Sequence, residues 1–195
     1  EPDQEIKIYE KILGKSDFDA HIAPHTLKIA SMFSVLSRLQ PTQKCDLLTK
    51  MKIYNGEDVI EKGRVKKIDI KDLREESEKE GMKGISTRFI MKSIDAALSD
   101  SDKNMITPIS IIDSLSKQVK EQIINEEDRS RYLEIIQKVI REEYLSILEN
   151  EIAKAFISAY EEQAQSLFDS YLDNAESYTN RTIMKDKITR EVRDP

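Results

Sequence analysis

The chain has 195 residues, enough for one good core or a small domain with a helical extension, and too few for an ATPase core with accessories. Charged residues make up 35% and aromatics 6%, with no Trp, five Gly and five Pro, which suits a helical protein with broad solvated faces and disfavours a turn-rich β fold. The formal net charge of −6 gives no long-range attraction to nucleic acid or anionic lipid, apolar runs last only a few residues, and the acidic start is unlike a secretory leader; a cytoplasmic chain with no nucleic acid and no membrane partner is expected.

A first helix carrying Ile6, Tyr9 and Ile12 is expected to end at Leu13-Gly14. Gly14-Lys15-Ser16 resembles the tail of a phosphate loop, but the loop's first glycine would fall at Tyr9, so the amide cradle is missing and a helix C-cap is the better reading. Ser16-Asp17-Phe18-Asp19 approaches the kinase Asp-Phe-Gly and fails at the glycine, and neither a GxGxxG loop nor a His-Arg-Asp loop occurs. His21 and His25 have the spacing of a helical metal pair. Pro24 is expected to open a helix between them, however, and no nearby acid completes an HExxH motif, so no metal site is predicted.

The Pro24 helix would present Leu27, Ala30, Ser31, Ser34, Val35 and Leu39 before Pro41 ends it. Arg38, near its C-terminus, suits the helix dipole and on that ground calls for no functional account. Cys45, the one cysteine, can form no internal disulfide and reads as a small apolar residue. Residues 51 to 70 carry turn signals at Tyr54-Asn55-Gly56 and Gly63 and alternate from Val65 to Ile70, which predicts a small hairpin or irregular insertion. Residues 71 to 80 return to a charged helix, closed by Gly81 and Gly84.

Gly84-Ile85-Ser86-Thr87-Arg88-Phe89 is the most informative stretch. Ser86 reads as an N-cap, which places Arg88 in the first helical turn, against the positive end of the macrodipole. A cation placed there at a mild local cost, beside free amide groups, suits a phosphate. Taken locally, a solvated Arg88 or one paired with Glu80 or Asp95 is the commoner outcome.

Thr107-Pro108 opens the next helix as N-cap and first residue, with Ile111, Ile112, Leu115 and Val119 on one face. Residues 109 to 194, 86 in succession, contain neither Gly nor Pro, so long helices are expected. A break at Asn125 is signalled by the cap and acidic first turn of Asn125-Glu126-Glu127-Asp128. Beyond it Tyr132, Ile136, Val139, Ile140, Tyr144, Ile147 and Leu148 recur at helical steps, and the pattern runs on through Phe156, Tyr160, Leu167 and Tyr171. Glu142-Glu143 and Glu161-Glu162 read as solvated faces and not as acid–base pairs.

Several of these strings resemble one family. They include residues 19 to 39 (Asp-Ala-His-Ile-Ala-Pro-His-Thr-Leu through Leu-Ser-Arg-Leu), Lys50-Met51-Lys52-Ile53-Tyr54-Asn55-Gly56-Glu57, Leu73-Arg74-Glu75-Glu76, residues 80 to 89 and Leu167-Phe168-Asp169-Ser170-Tyr171-Leu172-Asp173-Asn174. They are similar, across nearly the whole chain, to the bacterial PrkA family of serine protein kinases in the part that follows its AAA+ ATPase core. The run from Ile85 to Thr107-Pro108 also resembles the lid of MoxR-type and MCM-type AAA+ ATPases, in which an arginine at the matching position, called sensor 2, reaches the nucleotide phosphates.

The resemblance implies a predominantly all-α segment of a longer protein, its phosphate loop upstream of Glu1 and its chain continuing beyond Pro195. It implies an AAA+ lid-like region over 1–123 with an insertion at about 45–80, and a long-helix region over 124–195. Arg88 becomes the candidate contact to nucleotide phosphate, with no catalytic residue and no metal ligand in this chain. ATP and Mg would be bound mainly by the core outside it. The partners expected are that AAA+ core, protein substrates and, as an option, further copies of the chain. The function implied is that of a lid of an ATP-dependent serine protein kinase; the alternative is a regulatory or substrate-docking module of an AAA+ motor without kinase activity.

Overall fold

The computed structural model describes residues 1–15, 20–61, 64–65, 68–77, 80–100, 104–180, 184–185 and 192–193. The chain is predominantly helical, as its composition predicts, and divides into two units, residues 1–145 and 146–195. In the first, α1 (Pro2–Leu13), α2 (Thr26–Arg38), α3 (Leu47–Tyr54), α4 (Ile70–Glu76), α5 (Thr87–Ser99), α6 (Pro108–Gln122) and α7 (Glu126–Glu134) lead into a π-helical segment, Ile135–Ile140. There α8 (Arg141–Asn180) begins, and it runs on into the second unit.

The core is built around α2. Residues 29 to 37 of this helix are all buried, as a helix apolar or small around its whole circumference must be. Its serines are accommodated by bonding back to the helix: Ser31 Oγ donates to the Lys28 carbonyl and Ser37 Oγ to the Ser34 carbonyl. Tyr9 and Leu13 of α1, Ile90 and Ile94 of α5, Ile111 and Leu115 of α6, and Ile136 and Ile140 of the π-helical segment are buried with it. Phe33 meets Tyr132 edge to face, ring centres 6.2 Å apart.

The local start signals work as expected. Thr107 and Ser110 form a reciprocal capping box at α6, with Pro108 first in the helix, and the Asn125 side chain accepts from the Asp128 amide at α7. Several expectations need correction. The second helix starts at Thr26, because His25 takes a left-handed φ of 66° and Pro24 lies in the preceding turn, and it ends at Arg38, ahead of Pro41. The hairpin is present as β2 (Ile60–Glu61) against β3 (Arg64–Val65), but residues 51 to 54 belong to α3, which Asp46 caps by accepting from the Thr49 amide. The turn signal at Gly63 lies outside the described residues. The charged helix is shorter than expected, ending at Glu76.

Two further two-residue ladders carry no local signal. β1 (His21–Ile22) runs parallel to β4 (Met105–Ile106), and the Thr26 hydroxyl donates to the Ile106 carbonyl. In the second unit β5 (Met184–Lys185) pairs antiparallel with β6 (Val192–Arg193).

Phe33→Ala should cost about 3–5 kcal/mol in chemical denaturation, because it empties a fully buried site at the centre of the core. Ile124→Ala, at a position 92% exposed, should stay within about 0.5 kcal/mol.

Candidate functional site

Arg88 is the second residue of α5 and is exposed. Ser86 caps the helix, its hydroxyl accepting from the Phe89 amide at 3.3 Å, and the first turn contains no acid. Neither Glu80 nor Asp95 pairs with Arg88, which has no ion-pair partner among the described residues. The guanidinium therefore stands at a helix N-terminus whose leading amides have no intrahelical acceptor, a combination suited to an anion.

What fixes that helix end is the preceding strap, residues 80 to 86. The Gly81 amide donates to the Arg38 carbonyl at 3.1 Å, and the Ile85 amide to the Ser37 hydroxyl at 2.9 Å. Arg38 Nε returns a bond to the Ile85 carbonyl at 3.0 Å, and the Ile85 side chain is buried. Gly84 sits between these ties with φ +137°, and a Cβ there would come within 2.6 Å of Arg38 Cγ and 2.8 Å of the Ser37 carbonyl oxygen. Glycine is required for both reasons. On its other side α5 is held by Phe89, Ile90, Ile94 and Ala97 in the core and by Ser114, whose hydroxyl donates to the Ser93 carbonyl at 2.7 Å.

Arg38 does more than answer the helix dipole, which corrects the sequence reading. Besides Ile85 it reaches Glu5 of α1 at 2.5 Å and the Ser34 hydroxyl at 2.9 Å, so one planar fork joins α1, α2 and the strap. A second buried pair lies close by. Lys50, with no exposed side-chain surface, meets Glu80 at 2.5 Å, the Gln40 carbonyl at 3.0 Å and the Ser77 hydroxyl at 3.1 Å. Glu80 also accepts from the Tyr54 hydroxyl at 2.6 Å and the Gln40 amide at 3.0 Å. Burial, and then the bond to Glu80, push the Tyr54 phenol up, so it stays a neutral donor.

The two ion pairs border one open groove of about 600 Å³, with Arg38, Tyr54, Arg74, Ser77, Glu80 and Glu5 on its walls. Arg88 is not among its lining residues. A second cavity, about 400 Å³, lies between α5 and α6 and is lined by Asp100, Asp113, Ser110 and Lys117.

The other sequence candidates are scattered. Gly14 ends α1 in ordinary right-handed geometry, its amide on the Glu10 carbonyl, and residues 16 to 19 lie outside the described set. His21 is on β1 and His25 precedes α2, and no group of three potential metal ligands occurs among the described residues. Glu143 pairs with Lys52 at 2.8 Å, while Glu142, Glu161 and Glu162 are exposed. Sequence reasoning missed Glu5, Arg38, Lys50 and Glu80. The one available signal was the pair of glycines around Met82-Lys83, which marks a strap pressed against another backbone.

Comparison with known proteins agrees with the sequence resemblance. A family model described as the PrkA serine protein kinase C-terminal domain matches residues 48–195, and one described as the PrkA AAA domain matches residues 1–46. The chain is 40% identical over 196 residues to the ATP-dependent protease PrkA of Bacillus subtilis strain 168, covering 98% of this chain and 30% of that protein. It is 31% identical over 194 residues to the serine/threonine kinase YeaG of Escherichia coli K12, again covering 98% of this chain and 30% of that protein. The chain thus spans under a third of the length of these curated relatives. No solved structure matches it.

Gly84→Ala should destabilise the fold by about 2–4 kcal/mol, since positive φ and a backbone clash act together. Gly56→Ala, at φ +78° with open space around it, should cost only about 1 kcal/mol. Urea unfolding of both variants tests the ranking.

Proposed function

The chain belongs to the PrkA family, and from that membership we propose that it forms the lid and C-terminal helical region of an ATP-dependent serine protein kinase, closing over nucleotide held by the rest of the AAA domain that its residues 1–46 match. The observation that carries the reading is Arg88: an exposed guanidinium with no ion-pair partner among the described residues, at a capped helix N-terminus whose first turn holds no acid, with the strap fixing where that helix starts. Its planar fork matches phosphate oxygens, and the first-turn amides of α5 add donors beside it.

On this reading ATP and Mg are bound mainly by the core, and the nucleotide supplies the phosphoryl group. This chain's residues position and stabilise. Ser86 holds the helix end open, Gly84 and Arg38 fix its approach, and Arg88 offers charge where phosphate charge grows during transfer. We place the protein in the cytoplasm on the strength of its acidic, apolar-poor sequence; separately, no helix among the described residues is long and apolar enough to cross a membrane. The printed name of the Bacillus subtilis relative, an ATP-dependent protease, favours a second reading: the same lid on an AAA+ motor that acts on proteins without phosphorylating them. Labelled ATP and a protein substrate separate the two, since label on serine supports the kinase and hydrolysis without phosphoprotein supports the motor.

In the complete protein, Arg88→Ala should lower ATP turnover by about tenfold to a thousandfold with almost no change in melting temperature, and Arg88→Lys should recover only part of it. Unchanged turnover in both variants would sink the lid reading, and a collapsed melting temperature would make Arg88 a structural residue.

The chain alone should not hydrolyse ATP, because Gly14, the glycine of its glycine-lysine-serine sequence, caps an ordinary helix and the glycine-rich cradle of a phosphate loop is missing upstream of it. ADP release by purified chain above a matched blank would reveal a site the lid reading does not contain.

A further inference from the structure

Of the second unit, the helical part is α8, and it buries none of its residues, although its sequence is far from polar. Leu145, Phe156, Leu167 and Tyr178 recur at intervals of eleven residues and are 52–74% exposed. Ile152, Tyr160 and Tyr171 fall between them on the same face. At about 100° per residue the seven side chains occupy an arc roughly 100° wide over ~50 Å of helix. Glu151, Glu162, Asp169 and Glu176 fall on the opposite face. An eleven-residue period gives about 3.67 residues per turn, so the stripe drifts by only about 20° per repeat and suits a long partner wound with a gentle right-handed supercoil.

We propose that the partner is a second copy of the same helix, packed antiparallel about a two-fold axis. The stripe steps by four, three, four, four, three, four, four, three and four residues from Leu145 to Tyr178, a series that reads the same in both directions. A two-fold axis between residues 161 and 162 therefore brings stripe position onto stripe position. Phe156 then faces Leu167 and Ile152 faces Tyr171. The polar members match as well: Glu149 meets Asn174, and Tyr160 meets Gln163. A parallel in-register pair would set Glu149 against Glu149, a like-charge contact within the seam.

The area is sufficient. Seven side chains of these types, exposed to this degree, offer on the order of 800–1,000 Å² per copy, which is what one partner contributes to a standard interface. Glu151, Glu162, Asp169 and Glu176 stay in solvent on the outer faces, and the one acid at a stripe position, Glu149, faces the neutral Asn174. The contact is isologous and closes at two copies. It requires neither nucleotide nor the lid reading above.

Sedimentation velocity on this chain, from about 1 to about 100 µM, tests the proposal. The expected result is a twofold rise in mass with concentration, abolished by Phe156→Glu with the helical circular dichroism retained. Orientation is read in a Cys45→Ser background. Oxidising a mixture of Glu149→Cys and Asn174→Cys chains should give crosslinked pairs that are mainly mixed, because residue 149 faces residue 174. A chain that stays single at the highest concentration overturns the proposal, as does a dimer that survives Phe156→Glu unchanged. A dimer whose crosslinks are mainly between identical variants overturns the antiparallel arrangement.

Discussion

The C-terminal end of α2 is the point on which the first unit depends. A helix ends with carbonyls that have no intrahelical donor and with the negative end of its dipole, and here that end is buried within the fold. The sequence answers with cations and an amide from three directions. The Gly81 amide takes the Arg38 carbonyl, Arg131 of α7 reaches the Leu39 carbonyl at 2.5 Å, and Lys50 of α3 reaches the Gln40 carbonyl. Arg38 itself turns to Glu5 and to the strap. Satisfying one helix terminus thus fixes the position of α1, α3, α7 and, through the strap, α5.

The two ion pairs beside this terminus, Arg38–Glu5 part-buried and Lys50–Glu80 almost wholly buried, differ in what they contribute. Burying Lys50 completely costs solvation that a single Coulombic contact seldom repays, so the Lys50–Glu80 pair is weak grounds for net stability. Its worth lies in geometry. Lys50 has all three donors engaged, and Glu80 accepts from Lys50, Tyr54 and the Gln40 amide, so α3 and the strap have one mutual placement. Losing either partner would leave the other charge buried and unmatched, which makes the pair a lock on the start of the strap. Arg38 locks its end.

The parts of this structure legible in the sequence are those set by contiguous residues. Thr107-Pro108, Asn125 and Ser86 each announce a helix start because the capping side chain and the amide it meets are three residues apart. Arg88 could be singled out for the same reason, since dipole and cation share one turn. The rest depends on residues distant in the chain. Arg38 looks like a routine last-turn cation until Glu5 and Ile85, 33 and 47 residues away, are brought to it. The β1–β4 ladder joins segments more than eighty residues apart, and two residues per strand are too few to show a period. In α8 the apolar recurrence was plain, but periodicity reports a face and not what lies against it.

The seam between the two family models makes the same point about distance. They meet between residues 46 and 48, at the N-cap of α3, yet the contacts of the first unit run across that line. Arg38 and Ser37 hold Ile85, Lys50 holds Gln40, and β1 pairs with β4, each joining a residue before the line to one after it. A boundary between recurring sequence segments is therefore not a boundary between moving parts here. Displacing Arg88 relative to α2 would require the Gly81, Ile85 and Arg38 bonds to break together and Gly84 to leave its contact with Ser37. Concerted loss of several bonds is far costlier than a shared shift, so the strap, the C-terminal end of α2 and the start of α5 move together when a force acts at Arg88.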